Sequence, residues 1–188
     1  MQRFGQVIEE EGVKIRLRSI AQRVSTPSGG QVKIEFSDGY QDTFDQVVIT
    51  TAAPIAAEIC QDLSEDERDR LKNIEYQGII CAFLLLKQSL SPYYVTNITD
   101  DWVPFTGVIE MTTLVNPQHF DGRTLVYLPK YVVLNDPAFN LTDDEIEETF
   151  VRALEIMYPH FNRDDILSFR VSRVKYVVAI STLDLLRE

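Results

Sequence analysis

Histidine, cysteine and tryptophan are scarce in this 188-residue sequence, which has two, two and one of them. With His119 and His160 alone, there is too little imidazole for a histidine-based metal site or a nucleophile–histidine triad. Cys60 and Cys81 each stand singly in apolar surroundings, and they read as buried structural thiols. No GxGxxG follows a strand pattern, and GxxxxGK, HExxH, GxSxG and paired CxxC are all missing, so phosphate-loop, zincin and serine-hydrolase chemistry lose their usual carriers. Basic residues are outnumbered, 18 Lys and Arg against 29 Asp and Glu, for a formal net charge of −11. That balance excludes a sequence-independent grip on nucleic acid and electrostatic attachment to anionic lipid. No apolar run reaches the length of a membrane span. The longest, Gly78 to Leu86, suits one buried strand, and the N-terminal Met-Gln-Arg-Phe-Gly-Gln has no signal-peptide apolar region. A soluble, cytoplasmic protein is expected.

What is present is ordinary globular material, 45% hydrophobic and 25% charged, enough for one domain or two small ones. The chain is organised around Asp45-Gln46-Val47-Val48-Ile49-Thr50-Thr51-Ala52-Ala53-Pro54. Its branched apolar run predicts a strand buried on both faces, ended by a proline that cannot donate to a ladder. Before it, residues 1–11 predict a short helix with Phe4, Val7 and Ile8 on one face. Val13–Leu17, Ser19–Val24, Gln31–Phe36 and Tyr40–Phe44 then predict strands, with Asp38-Gly39 as a type I′ hairpin turn. After it, Ile55–Ile59 predicts a short helix. Ser64…Glu67 is a capping box opening a helix to about Ile74. Further strands are expected at Gly78–Leu86, Pro92–Ile98, Phe105–Val115, Thr124–Leu128 and Tyr131–Val133. A second capping box, Thr142…Glu145, opens a helix with Ile146, Phe150, Leu154 and Met157 on one face. Ile166 to Ile180 predicts two extended segments. There is no internal repeat.

The acidic runs at 62–69 and 143–148 match helix N-termini, where they complement the dipole, better than they match a metal site. The triplets at Asn97 and Asn140 fit a glycosylation pattern but lack a secretory context. Tyr93, Tyr94, Trp102, Phe105, Tyr127 and Tyr131 are aromatic residues that either pack a core or line a pocket for an apolar substrate. The site assignment drawn from this set is Tyr94, Phe105, Tyr127 and Tyr131. No catalytic side chain and no metal ligand is assigned.

The order of segments carries more than any single residue. "GVKIRLRSIAQRV", a Gly-Gly turn, "VKIEFSDG" and "FDQVVITTAAP" resemble the middle of flavin-dependent oxidoreductases of the amine oxidase, protoporphyrinogen oxidase and phytoene desaturase superfamily. "IEYQGIICAFLLL", "PFTGVIEMTTLV", "TLVYLPKYVV" and the helix from Thr142 are similar to its substrate-domain sheet and covering helix. "VSRVKYVVAIST" is similar to its return segment. The resemblance implies an α/β fold of α+β-like character, a mixed β-sheet with covering helices plus a small β-meander belonging to the flavin domain. It divides the chain into 1–54, part of an FAD-binding domain; 55–170, a substrate-binding domain; and 171–188, the start of the return segment. It places Ile20 where backbone groups meet the adenine, and Thr50, Thr51 and Ala52 near the adenosine and pyrophosphate, because small residues permit close approach.

Departures from that pattern matter. The N-terminal strand–Gly-rich turn–helix that seats a pyrophosphate is absent, and the sequence ends at Glu188 before the second flavin-contacting segment. The strand at Gly78–Ala82 lacks the lysine that amine oxidases carry near the flavin. Gly107 stands in "PFTGVIE" where the similar strand of UDP-galactopyranose mutases has arginine. The chain therefore reads as an internal piece of a larger FAD enzyme acting on an amine or an unsaturated apolar small molecule. By itself it is expected to be inactive, not to retain FAD, and to self-associate through surface left uncovered. The alternatives are a stand-alone binding module for an apolar ligand and a structural interaction domain.

Overall fold

The computed structural model describes residues 2–27 and 29–181. It divides into two compact units, Met1–Ile74 and Glu75–Glu188. The expected turn residue Ser28 and the C-terminal residues from 182 onward lie outside the described residues.

The first unit begins with helix α1 (Gln2–Glu10). A three-stranded antiparallel sheet follows, β1 (Ala21–Ser25), β2 (Val32–Phe36) and β3 (Gln41–Phe44), in the order β1-β2-β3. Helices α2 (Ala53–Ile59) and α3 (Glu65–Lys72) complete it. The Ser64–Glu67 capping box forms as the sequence predicts, with acidic residues in the first turn of α3 and Arg70 and Lys72 in the last. Val24 bridges Cys60 in parallel, and the Asp62 carboxylate accepts from the Thr26 amide at 2.5 Å. These links hold the helical pair to β1.

Three sequence expectations fail in this unit. Val13–Leu17 is not a strand: Arg18 takes a positive φ of 56°, and Leu17 is 80% exposed. Period-two alternation needs a ladder partner, and none is present among the described residues. The Arg16 guanidinium instead lies 3.8 Å from the Tyr40 ring centroid and pairs with Asp38. Val47–Ile49 joins no ladder, with Val48 87% exposed. A strand buried on both faces needs neighbours on both sides, and the small sheet ends at Phe44. The Asp38-Gly39 turn is not type I′ either. Only Gly39 has positive φ, 82°, and Phe36 closes onto Tyr40, giving a Ser37-Asp38-Gly39 loop with glycine in the left-handed position.

The second unit is built on a five-stranded sheet in the order β5-β6-β7-β4-β8. Its strands are β4 (Tyr76–Leu86), β5 (Val95–Asn97), β6 (Gly107–Glu110), β7 (Thr124–Val133) and β8 (Ile166–Ala179). Every pairing between its strands is antiparallel. Helix α4 (Asp143–Met157) starts at the predicted Thr142–Glu145 box. It presents Ile146, Phe150 and Leu154 to one sheet face, where they meet Ile80, Ala82, Leu84, Val126 and Leu128. Burying each such side chain contributes about 1.5–3 kcal/mol.

Two expected segments on β7 merge into one strand that runs through Pro129. Its carbonyl accepts from the amide and hydroxyl of Thr106. Amide and carbonyl of one antiparallel residue point to the same side, so the missing N–H faces the strand-free end of β6, not β4. The expected long strand at 105–115 shortens to β6 and turns into a 3₁₀ helix at Met111–Thr113.

Two buried features brace this unit. Gly78 lies under Phe139: a Cβ there would meet the ring at 2.7 Å and the Val174 and Lys175 carbonyls at 3.1 and 3.2 Å. Glu110 is 2% exposed, and its carboxylate accepts from the Ser89 hydroxyl and from the Leu90 and Ser91 amides. Gly78→Ala is expected to lower unfolding stability by about 1–3 kcal/mol, as overpacking does, with part restored by Phe139→Leu. Glu110→Ala leaves two inward amides unpaired and is expected to cost roughly 2 kcal/mol or more. Urea unfolding of each variant checks both.

Candidate functional site: the uncovered face of the sheet

Strand alternation sends even-numbered β4 residues toward α4 and odd-numbered ones to the opposite face. Cross-strand register then lines up a row of side chains on that opposite face. Val95 on β5 pairs with Ile109 on β6, Ile109 with Tyr127 on β7, Tyr127 with Phe83 on β4, and Phe83 with Arg170 on β8. The Phe83 and Tyr127 rings meet edge to face, 4.9 Å between centroids, a favoured aromatic geometry. One row along, Pro129, Cys81 and Ser172 are neighbours, and on the other side Leu125, Leu85 and Ser168. Tyr131, Ile79 and Val174 form a further row.

Burial keeps the Cys81 thiol neutral in this setting, its pKa pushed up to about 11 by desolvation. Cys60 is raised as well, by the same cause. The face therefore offers aromatic and aliphatic surface, hydroxyls, an un-ionised thiol and a guanidinium. Among the described residues no group of His, Cys, Asp and Glu could hold a metal ion.

The four aromatic residues singled out from the sequence separate here. Tyr127 and Tyr131 lie on this face. Tyr94 is one residue before β5, out of phase with Val95, and its carbonyl accepts from the Glu110 amide. Phe105 does not line a pocket: it is 2% exposed and stacks edge-on against Phe150 in the core, 5.2 Å between centroids. Phe83, Ile109 and Arg170 were missed by sequence reasoning. Phe83 sits inside a continuous apolar run whose two faces only the pairing distinguishes.

The residues assigned to a dinucleotide lie in the first unit. Ile20 is 69% exposed, and its carbonyl already accepts from the Ser37 amide at 2.9 Å. A ligand there would use the second lone pair and the N–H. Thr50 and Thr51 are exposed and Ala52 is half-buried. Ala52 serves as N-cap of α2 without a side-chain cap bond. Short side chains and approachable backbone fit one edge of a dinucleotide. A Gly-rich pyrophosphate cradle is not among these residues.

No curated protein matches the chain. Among solved structures, a protein from an Exiguobacterium species assigned as a protoporphyrinogen oxidase matches with a TM-score of 0.74 at 16% identity, over 95% of this chain and 40% of that one. A reduced UDP-galactopyranose mutase matches with a TM-score of 0.75 at 14% identity, over 97% and 41%. An oxidoreductase from Methanosarcina mazei gives 0.67 at 18%, over 92% and 41%. These likenesses establish a shared fold, and the chain spans about 40% of the length of the first of these proteins. The family model for flavin-containing amine oxidoreductases matches residues 1–182. The α+β arrangement, with its two antiparallel sheets, agrees with that match, and the chain belongs to the flavin-containing amine oxidoreductase family.

Proposed function

We propose that this chain supplies the substrate-facing sheet, and part of the cofactor-binding region, of a cytoplasmic FAD-dependent oxidoreductase that takes a hydride from an amine or an unsaturated apolar small molecule. The observation that carries the proposal is the aromatic and aliphatic row from Val95 to Phe83 on the sheet face that α4 leaves uncovered. Bound flavin supplies the hydride-accepting chemistry. The chain's own residues then have simpler tasks. Phe83, Tyr127 and Ile109 give a substrate apolar surface and exclude water from it, while Cys81 remains an uncharged neighbour.

In this reading the first unit belongs to the flavin domain, with Ile20 and Thr50–Ala52 along the adenosine edge, and the second unit is the substrate domain. Lacking a pyrophosphate cradle, the 188 residues do not retain FAD by themselves. Leu17, Ile20 and Val48, all more than two-thirds exposed, give the first unit an apolar surface through which isolated copies associate.

Flavin fluorescence quenching is expected to show stoichiometric FAD binding by the full-length parent and none by this chain. Tight binding by the chain alone would overturn the assignment of the cradle elsewhere, and no binding by either would overturn the flavin reading itself. A second test concerns Cys81. With the pKa at about 11, about one thiol in a thousand is ionised at pH 8. Iodoacetamide at pH 8 is therefore expected to label Cys60 well before Cys81, as mass spectrometry reads. The folded state holds the Cys81 proton more tightly than the unfolded chain, so its contribution to stability is whole below about pH 8.5 and lost as pH rises through 11.

A further inference from the structure

The uncovered sheet face has an electrical asymmetry. Across its width, Val95, Ile109, Tyr127 and Phe83 bring no formal charge. Arg170 closes the row on β8, which is the edge strand of the sheet. Two residues to either side of Arg170, Ser168 pairs with Leu85 and Ser172 with Cys81, so their hydroxyls share its face. β8 thus presents a hydroxyl–guanidinium–hydroxyl stripe beside an apolar field. None of the strand residues on this face is Asp or Glu. The other arginine of β8 near this point, Arg173, lies on the opposite face and is committed to Asp143 and the Leu141 carbonyl. Arg170 makes no ion pair among the described residues.

From this geometry we infer that the site takes an elongated or planar apolar carboxylate, its acid group at Arg170 between Ser168 and Ser172 and its apolar body laid over Phe83, Tyr127 and Ile109. The inference rests on the substrate-domain reading above and narrows it from two substrate classes to one. A guanidinium matches a carboxylate with parallel N–H donors. A protonated amine would meet a like charge at Arg170 and no carboxylate along the rows. Neighbouring strands are about 4.8 Å apart, so the row spans about 19 Å, ample for an extended acyl chain or a fused ring system. The net charge of −11 sets a demanding background. Non-specific attraction would favour a cation, so a preference for an anion has to come from a local site.

The test uses the whole chain and three probes with one tail and different heads: dodecanoate, dodecanol and dodecylamine, each below its micelle-forming concentration. Calorimetric titration is expected to give dodecanoate a Kd about five-fold or more below that of dodecylamine, the scale of one partly exposed ion pair. Arg170→Gln, at an exposed position, should erase that preference while leaving dodecanol unchanged. Arg152→Gln, on the exposed side of α4, should leave all three as they were, and Phe83→Leu should weaken all three together. Equal or tighter binding of dodecylamine, an unaltered preference in Arg170→Gln, or no binding of any probe would overturn the inference. The probes need no flavin, so the two readings fail separately. Lost carboxylate preference with FAD binding intact sinks only this inference, and absent FAD binding with the preference intact sinks only the flavin assignment.

Discussion

Pairing of β4 along both of its edges is the constraint on which the second unit depends. From Gln77 to Leu86 it is laddered to β7 on one side and to β8 on the other. Such a strand has no freedom of register, since a slip of one residue would turn Ile80, Ala82, Leu84 and Leu86 away from α4. The ladder therefore decides two surfaces at once. Even positions become the core, and odd positions become the uncovered face. Gly78 shows how tightly the strand is held at its start, where the Phe139 ring and the backbone of β8 occupy the space of a side chain.

That division of faces gives the candidate site its chemical character. The covered side contains polar groups that serve structure: Glu110, buried, ties the segment Ser89–Ser91 to β6, and Arg173 bonds Asp143 and the Leu141 carbonyl. Among the described strand residues, the uncovered side keeps its formal charge at the edge strand, on Arg170, and an un-ionised thiol toward the middle. Under the proposed function, a surface of this kind would position and dry a substrate rather than attack it. This suits a family in which the cofactor performs the redox step. The separation of Arg170 and Arg173 onto opposite faces of β8, three residues apart, is a consequence of the same alternation.

In the first unit, a different economy applies. Few side chains are buried there, Val24 and Ala57 among them, and polar links carry much of the organisation. Arg16 lies over Tyr40 and pairs with Asp38, Asp62 receives the Thr26 amide, and Ser64 and Glu67 cap α3. Exposed ion pairs of this kind contribute at most about 1 kcal/mol each. The apolar side chains of residues 13–20 and 47–49 remain largely outside any core, as their exposure shows.

Local chemistry was enough to place much of this from sequence. The capping boxes at Ser64 and Thr142 announce their helices because the signal lies within four residues, and the apolar run from Gly78 announces β4 because nothing else buries so many branched side chains in so short a span. The order of segments was enough for the family. Sequence periodicity misjudged Val13–Leu17 and Val47–Ile49, where a strand-like pattern meets no partner edge, since a ladder is a property of two segments and periodicity reads one. The site divides in the same way. Tyr127 and Tyr131 were visible only as members of an aromatic set, in which Phe105 looked equivalent until its ring was found against Phe150. Only the tertiary structure brought Phe83, Ile109 and Arg170 into one row, because their neighbourhood is set by cross-strand register between residues as far apart in sequence as Phe83 and Arg170. Residue types, caps and the family were decided by the sequence alone; which face is covered, and so which residues can meet a ligand, was decided by how the strands pair.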